Sequence, residues 1–133
     1  MTSNEKTEGN RVALVTGASS GIGLEFARIF AQHGYNLVLV ARNQAKLNEI
    51  AKELVEKNKV AVTVIVKDLV IQSAPNEIYE QLRSESLSVD VLVNCAGVGS
   101  LGAFSDEDLH SQLSMIQVNV TAVTHLTHLF LQD

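Results

Sequence analysis

The chain has 133 residues, 46% of them hydrophobic, which is enough for one domain with a buried core and too little for a second. A formal net charge of −5, with ten Lys and Arg scattered along the chain, excludes a nucleic-acid surface, and no run of about 18 apolar residues is present to cross a membrane. A single cysteine, Cys95, excludes an internal disulfide framework, and with no apolar signal core in residues 1–10 the expected location is the cytoplasm.

Residues 1–10 are polar and read as a disordered tail ahead of one domain over 11–133. From Arg11 onward, short β-branched runs alternate with longer helical patterns, the signature of βα units and a parallel sheet. The runs 11–16 (RVALVT), 36–41 (NLVLVA), 60–66 (VAVTVIV) and 89–93 (VDVLV) are apolar nearly throughout and are expected to be buried on both faces. Ile22, Phe26, Ile29 and Phe30 fall at helical spacing and predict a first helix, closed by Gly34. Leu47, Ile50, Ala51 and Leu54 form the stripe of a second, with Asn43 as its N-cap. Ile78 and Leu82 give only a short apolar pair for a third, opened by Ser73 and Pro75. Leu109, Leu113, Ile116, Val120, Val123 and Phe130 predict one long final helix, with Ser105 and Asp108 as its capping box.

Thr16-Gly17-Ala18-Ser19-Ser20-Gly21-Ile22-Gly23 lies where the first strand passes into the first helix. A pyrophosphate bound there needs backbone N–H groups directed at its oxygens and the positive end of a helix dipole. Gly17 leaves the turn unobstructed, Gly21 lets backbone approach the phosphates, Gly23 lets the helix pack closely on the sheet, and Ser19 and Ser20 can add hydroxyl donors. A glycine-rich turn can also be a tight connection and nothing more, but a preceding strand and a following amphipathic helix are the context that marks a nucleotide site.

With three residues between its first two glycines, TGASSGIG resembles the motif of the short-chain dehydrogenase/reductase family. Three further features match in order: Asp68-Leu69 after the third strand, Asn94-Cys95-Ala96-Gly97 after the fourth, and Asn119 in the last helix. The resemblance runs from about Arg11 to the C-terminus and implies a Rossmann-type doubly wound parallel sheet, here of about four strands in the order 3-2-1-4 with helices on both faces. It also implies that Asp68 receives the adenine amino group, that the Leu69 backbone lies against the ring, that Asn94, Ala96 and Gly97 pass beside the ribose, and that Asn119 helps hold a water-linked proton relay. The alternatives are a turn-forming aspartate for Asp68, a buried thiol for Cys95 in place of the family's second Asn, and a surface asparagine for Asn119.

A carboxylate at the end of the second strand would favour NAD by binding both ribose hydroxyls and repelling a 2′-phosphate. Ala41 stands there, followed by Arg42, which can bond the 2′-phosphate with Asn43 or Lys46 assisting, so the expected cofactor is NADP(H). The alternative is a solvated loop charge. The family's catalytic serine and Tyr-x-x-x-Lys fall beyond Asp133, and neither Tyr35 nor Tyr79 has a lysine four residues later. The expected function is therefore the NADP(H)-binding part of a short-chain oxidoreductase, which passes hydride between NADPH and a carbonyl or alcohol carbon. The alternative is a non-catalytic module that forms a homo-oligomer or takes a chain completing the sheet at 89–93. His125 and His128 lack a third ligand, the acids at 106–108 suit a helix's first turn, and neither Ser19 nor Ser20 has a histidine base, so no metal or nucleophilic site is expected.

Overall fold

The computed structural model describes residues 11–132, and the segment 1–10, read above as a tail, lies outside the described residues. Four parallel strands form one sheet: β1 (Val12–Thr16), β2 (Asn36–Ala41), β3 (Val62–Val66) and β4 (Val91–Val93), in the order β3-β2-β1-β4. This is the expected Rossmann-type sheet. Leu14 lies beside Val38 on one side and Leu92 on the other, so β1 holds the centre. Alternation along the strands divides the core. Val12, Leu14, Val38, Val40 and Ile65 face one layer of helices, and Ala13, Val15, Leu37 and Leu39 face the other.

Burial on both faces holds for β1 and β2 but not for the outer strands. Every residue of β1 is buried, whereas Val66 is exposed, β3 is otherwise half-buried apart from Ile65, and all three residues of β4 are half-buried. β3 and β4 stand at the edges, where one neighbour is absent among the described residues.

α1 (Gly21–Gln32) and α2 (Gln44–Asn58) cover one face, and α3 (Ala74–Ser84) lies on the other. α1 corrects the sequence reading. Its sheet-facing side is Gly23, Ala27 and Ala31, while Ile22, Phe26 and Ile29 are exposed and Phe30 is half-buried. Only small side chains fit where this helix crosses close to the strands. α2 buries Leu47, Ile50 and Leu54 as expected, and Asn43 caps it by accepting from the Lys46 N–H at 3.0 Å. α3 is a full helix that buries Ala74, Pro75, Ile78, Tyr79 and Leu82, with Tyr79 edge-on to Phe130 at 5.3 Å between ring centres.

The final segment is not one regular helix. A 3₁₀ turn (Phe104–Asp106) precedes α4 (Leu109–Ile116), a π turn (Gln117–Thr121) and α5 (Ala122–Phe130). The cap is Asp108 alone, accepting from the Ser111 N–H at 3.1 Å, while Ser105 belongs to the 3₁₀ turn. Leu109, Leu113, Ile116 and Val120, expected to face the core, are exposed; Val118, Ala122 and Leu126 are buried in it, and Phe130 packs against it as expected. The π turn inserts an extra residue per turn and rotates the apolar face between the two halves.

Candidate cofactor site

Chemistry in an open parallel sheet collects at the carboxyl ends of the strands, on either side of the point where strand order reverses. Here that point lies between β1 and β4, and the turns after β1, β2, β3 and β4 enclose a crevice of about 680 Å³. The glycine turn is its floor. Gly17 and Gly21 have φ of 63° and 55°, conformations that side-chain-bearing residues rarely adopt. A Cβ on Gly17 would stand 2.9 Å from both the nitrogen and the Cα of Ala96, and one on Gly23 would run into the Gly17 carbonyl oxygen. Nothing lies within 4 Å of a Cβ placed on Gly21, so that position is open space. Ser20 occupies the N-cap of α1 without a capping bond from its side chain.

Thr16, at 1% exposed, joins the first turn to the fourth. Its hydroxyl oxygen accepts from the N–H groups of Cys95 and Ala96 at 3.1 and 3.0 Å and donates to the Val93 carbonyl at 3.5 Å. The two glycine-bearing segments are thus pinned through one side chain, which the sequence reading had given no role. The signal was available: a polar residue ending a wholly apolar strand must be hydrogen-bonded.

Gly17, Ser19, Ser20, Ile22 and Gly23 line the crevice, as do Arg42 and Asn43 after β2, Asp68 and Leu69 after β3, and Ala96 and Gly97 after β4. Among the described residues no hydrogen bond or ion pair engages the Arg42 guanidinium, which leaves it available to an anion. Asp68 accepts from the Val70 N–H at 3.0 Å, an Asx turn that orients its carboxylate on the loop. Val40, Ala41, Lys67, Val70, Cys95, Val98 and Val118 line it too, and sequence reasoning had singled out none of these as lining except Ala41 and Cys95. Lys67 is held by Glu77 at 2.8 Å, and that bond is the main reason the Glu77 carboxyl sits below its usual range.

A protein-family model described as short chain dehydrogenase matches residues 11–133. The chain belongs to the short-chain dehydrogenase family. An oxidoreductase of Staphylococcus saprophyticus is 33% identical over 111 residues, covering 84% of this chain and 47% of that protein. The crystal structure of the bulky-bulky ketone specific alcohol dehydrogenase from Comamonas testosteroni superposes with a TM-score of 0.84 at 40% identity, covering 90% of this chain and 48% of that one. L-Sorbose reductase from Gluconobacter frateurii, complexed with NADPH and L-sorbose, gives a TM-score of 0.87 at 34% identity over 92% of this chain and 47% of that one. The chain thus spans about half the length of these relatives.

Four of the residues singled out in this short-chain dehydrogenase chain lie apart from the crevice lining. Gly21 borders an apolar hollow on α1 with Ile22, Phe26 and Ile29. The Lys46 ammonium pairs along α2 with Glu49 at 3.7 Å. Asn94 donates to the Thr127 hydroxyl at 3.2 Å, tying the end of β4 to α5. Asn119 lies inside the π turn, and its side chain is engaged on both sides by Val98, donating to that carbonyl at 2.7 Å and accepting from that N–H at 2.9 Å. That pair compensates for a polar residue in the middle of a helical segment, and it shapes the backbone after Gly97.

Proposed function

We propose that this chain holds NADP(H) in the crevice at the strand ends, as the cofactor-binding part of a short-chain oxidoreductase that moves hydride between nicotinamide and a carbonyl or alcohol carbon. The observation that carries the reading is the end of β2, where a small residue, Ala41, and the unengaged guanidinium of Arg42 line one crevice with the glycine turn. The residues fit the group. The Gly17 backbone, the N-terminus of α1 and the Ser19 and Ser20 hydroxyls suit a pyrophosphate, Arg42 with Asn43 suits a 2′-phosphate, and Asp68 with Leu69 suits adenine. When bound, the nicotinamide supplies the hydride chemistry. This chain's residues bind and orient it: Thr16 and Asn119 hold the Cys95–Val98 backbone that passes beside it.

Charge-assisted bonds from Arg42 are worth about 1.5–3 kcal/mol, an NADPH-over-NADH preference of roughly 10- to 100-fold. Titrating both reduced cofactors against the wild type and Arg42→Asp by nicotinamide fluorescence tests this. The substitution should abolish the preference, and an unchanged ratio would mean that Arg42 is only a loop charge. The surface beside β4 supports a further part of the proposal: a half-buried edge strand, with exposed apolar stripes on α1 and α4, is where further polypeptide or a second subunit docks. A cytoplasmic location, where a lone thiol stays reduced, belongs to the same reading.

A further inference from the structure

The π turn reaches both walls of the crevice within three residues. Asn119 grips Val98 on the β4 side, Val118 lines the crevice, and Gln117 donates from its side-chain amide to the Leu69 carbonyl at 3.4 Å on the β3 side. Leu69 is buried in the same core cluster as Val118, and its neighbour Asp68 is locked to the same short loop by two bonds, Val70 N–H to its carboxylate at 3.0 Å and Ile71 N–H to its carbonyl at 3.1 Å. The direction of the Asp68 carboxylate therefore follows the backbone of the loop, and Gln117 holds that backbone from above.

We infer that Gln117 is a positioning residue for the adenine end of the crevice, acting through Leu69 to set where Asp68 meets the base. This rests on the NADP(H) reading above. An apolar side chain of similar length would fill the half-buried site of Gln117 on the helix but could not donate to the carbonyl. The loop would keep its Asx turn and lose its anchor, so the carboxylate would no longer stand at one fixed distance from the base.

The readout is base discrimination, which general destabilisation does not alter. Calorimetry on the full-length protein with adenosine 2′,5′-bisphosphate and with inosine 2′,5′-bisphosphate, whose base carries a carbonyl oxygen in place of the amino group, measures it. Wild type should prefer the adenine compound by roughly tenfold, the worth of one hydrogen bond to a charged acceptor. Gln117→Leu and Gln117→Met, the second keeping an unbranched chain in the helix, should bring that preference to within about twofold, chiefly through weaker binding of the adenine compound. A wild-type preference retained in both variants overturns the inference, even if their overall affinity falls. Equal binding of the two compounds by wild type also overturns it while leaving the NADP(H) reading standing. Failure of wild type to bind either compound sinks both.

Discussion

Thr16 shows how much one hydroxyl can hold in this fold. Replacing it by Val keeps the shape but leaves the Ala96 N–H without its acceptor, whereas the Cys95 N–H retains the Val93 carbonyl at 3.1 Å. Thr16→Val should therefore cost about 1–3 kcal/mol, seen as a lower urea midpoint with an unchanged slope, and should weaken NADPH binding because the crevice floor moves with it. Gly23→Ala should be worse for binding than for helix formation. Alanine favours helix, but its methyl group would collide with the Gly17 carbonyl, and a higher NADPH affinity in that variant would contradict the close packing described. At this scale the glycine motif was legible from spacing and placement alone. The roles of Thr16, Val98 and Gln117 were not, because each depends on a partner 21 to 80 residues away in sequence.

Among the elements, the strands were readable because β-branched runs survive any local view, their order came from the family resemblance alone, and α2 was readable because its stripe and cap agree. α1 was misread for a physical reason: periodicity counts apolar character, while contact with a sheet at close range selects for small size. Gly23, Ala27 and Ala31 repeat at the same helical interval as the bulkier residues and win the inner face. The last helix was misread because a constant 3.6-residue period cannot register a π turn, and residues before and after Gln117–Thr121 belong to different faces. Arg28 of α1 bonds Glu53 of α2 at 3.1 Å, which is the main reason the Glu53 carboxyl lies below its usual range. A carboxyl with a lowered folded-state value contributes stability above the usual carboxylate range and loses it as pH falls through the lowered one. Glu53→Gln should thus lower the urea midpoint slightly at neutral pH and make no difference in strong acid, and a gap that persists in acid would show the pair is not responsible.

At the scale of the whole molecule, both edges of the sheet lack a neighbour among the described residues. β3 closes one edge with Val66 exposed and β4 closes the other half-buried, while Ile22, Phe26 and Ile29 on α1 and Leu113, Ile116 and Val120 in the final helical segment stand exposed. Leu113→Lys with Ile116→Lys should reduce self-association or loosen a docked segment, read by light scattering and by hydrogen exchange in β4. The same pair of changes on the outer face of α2, Asn48→Lys with Glu56→Lys, should do neither. The junction of β1 with β4 carries a different consequence, one of timing. Gly17 nests against Ala96, and Thr16 takes its hydrogen bonds from Cys95 and Ala96, so a chain growing from its N-terminus owns the whole phosphate loop long before it owns the backbone that shapes it. Such late, long-range closure is slow to form, and the loop gains its packing against Ala96 only once β4 has slotted in beside β1. Nucleotide binding would then report completed folding during synthesis, with free cofactor acting as the ligand that traps the newly closed sheet.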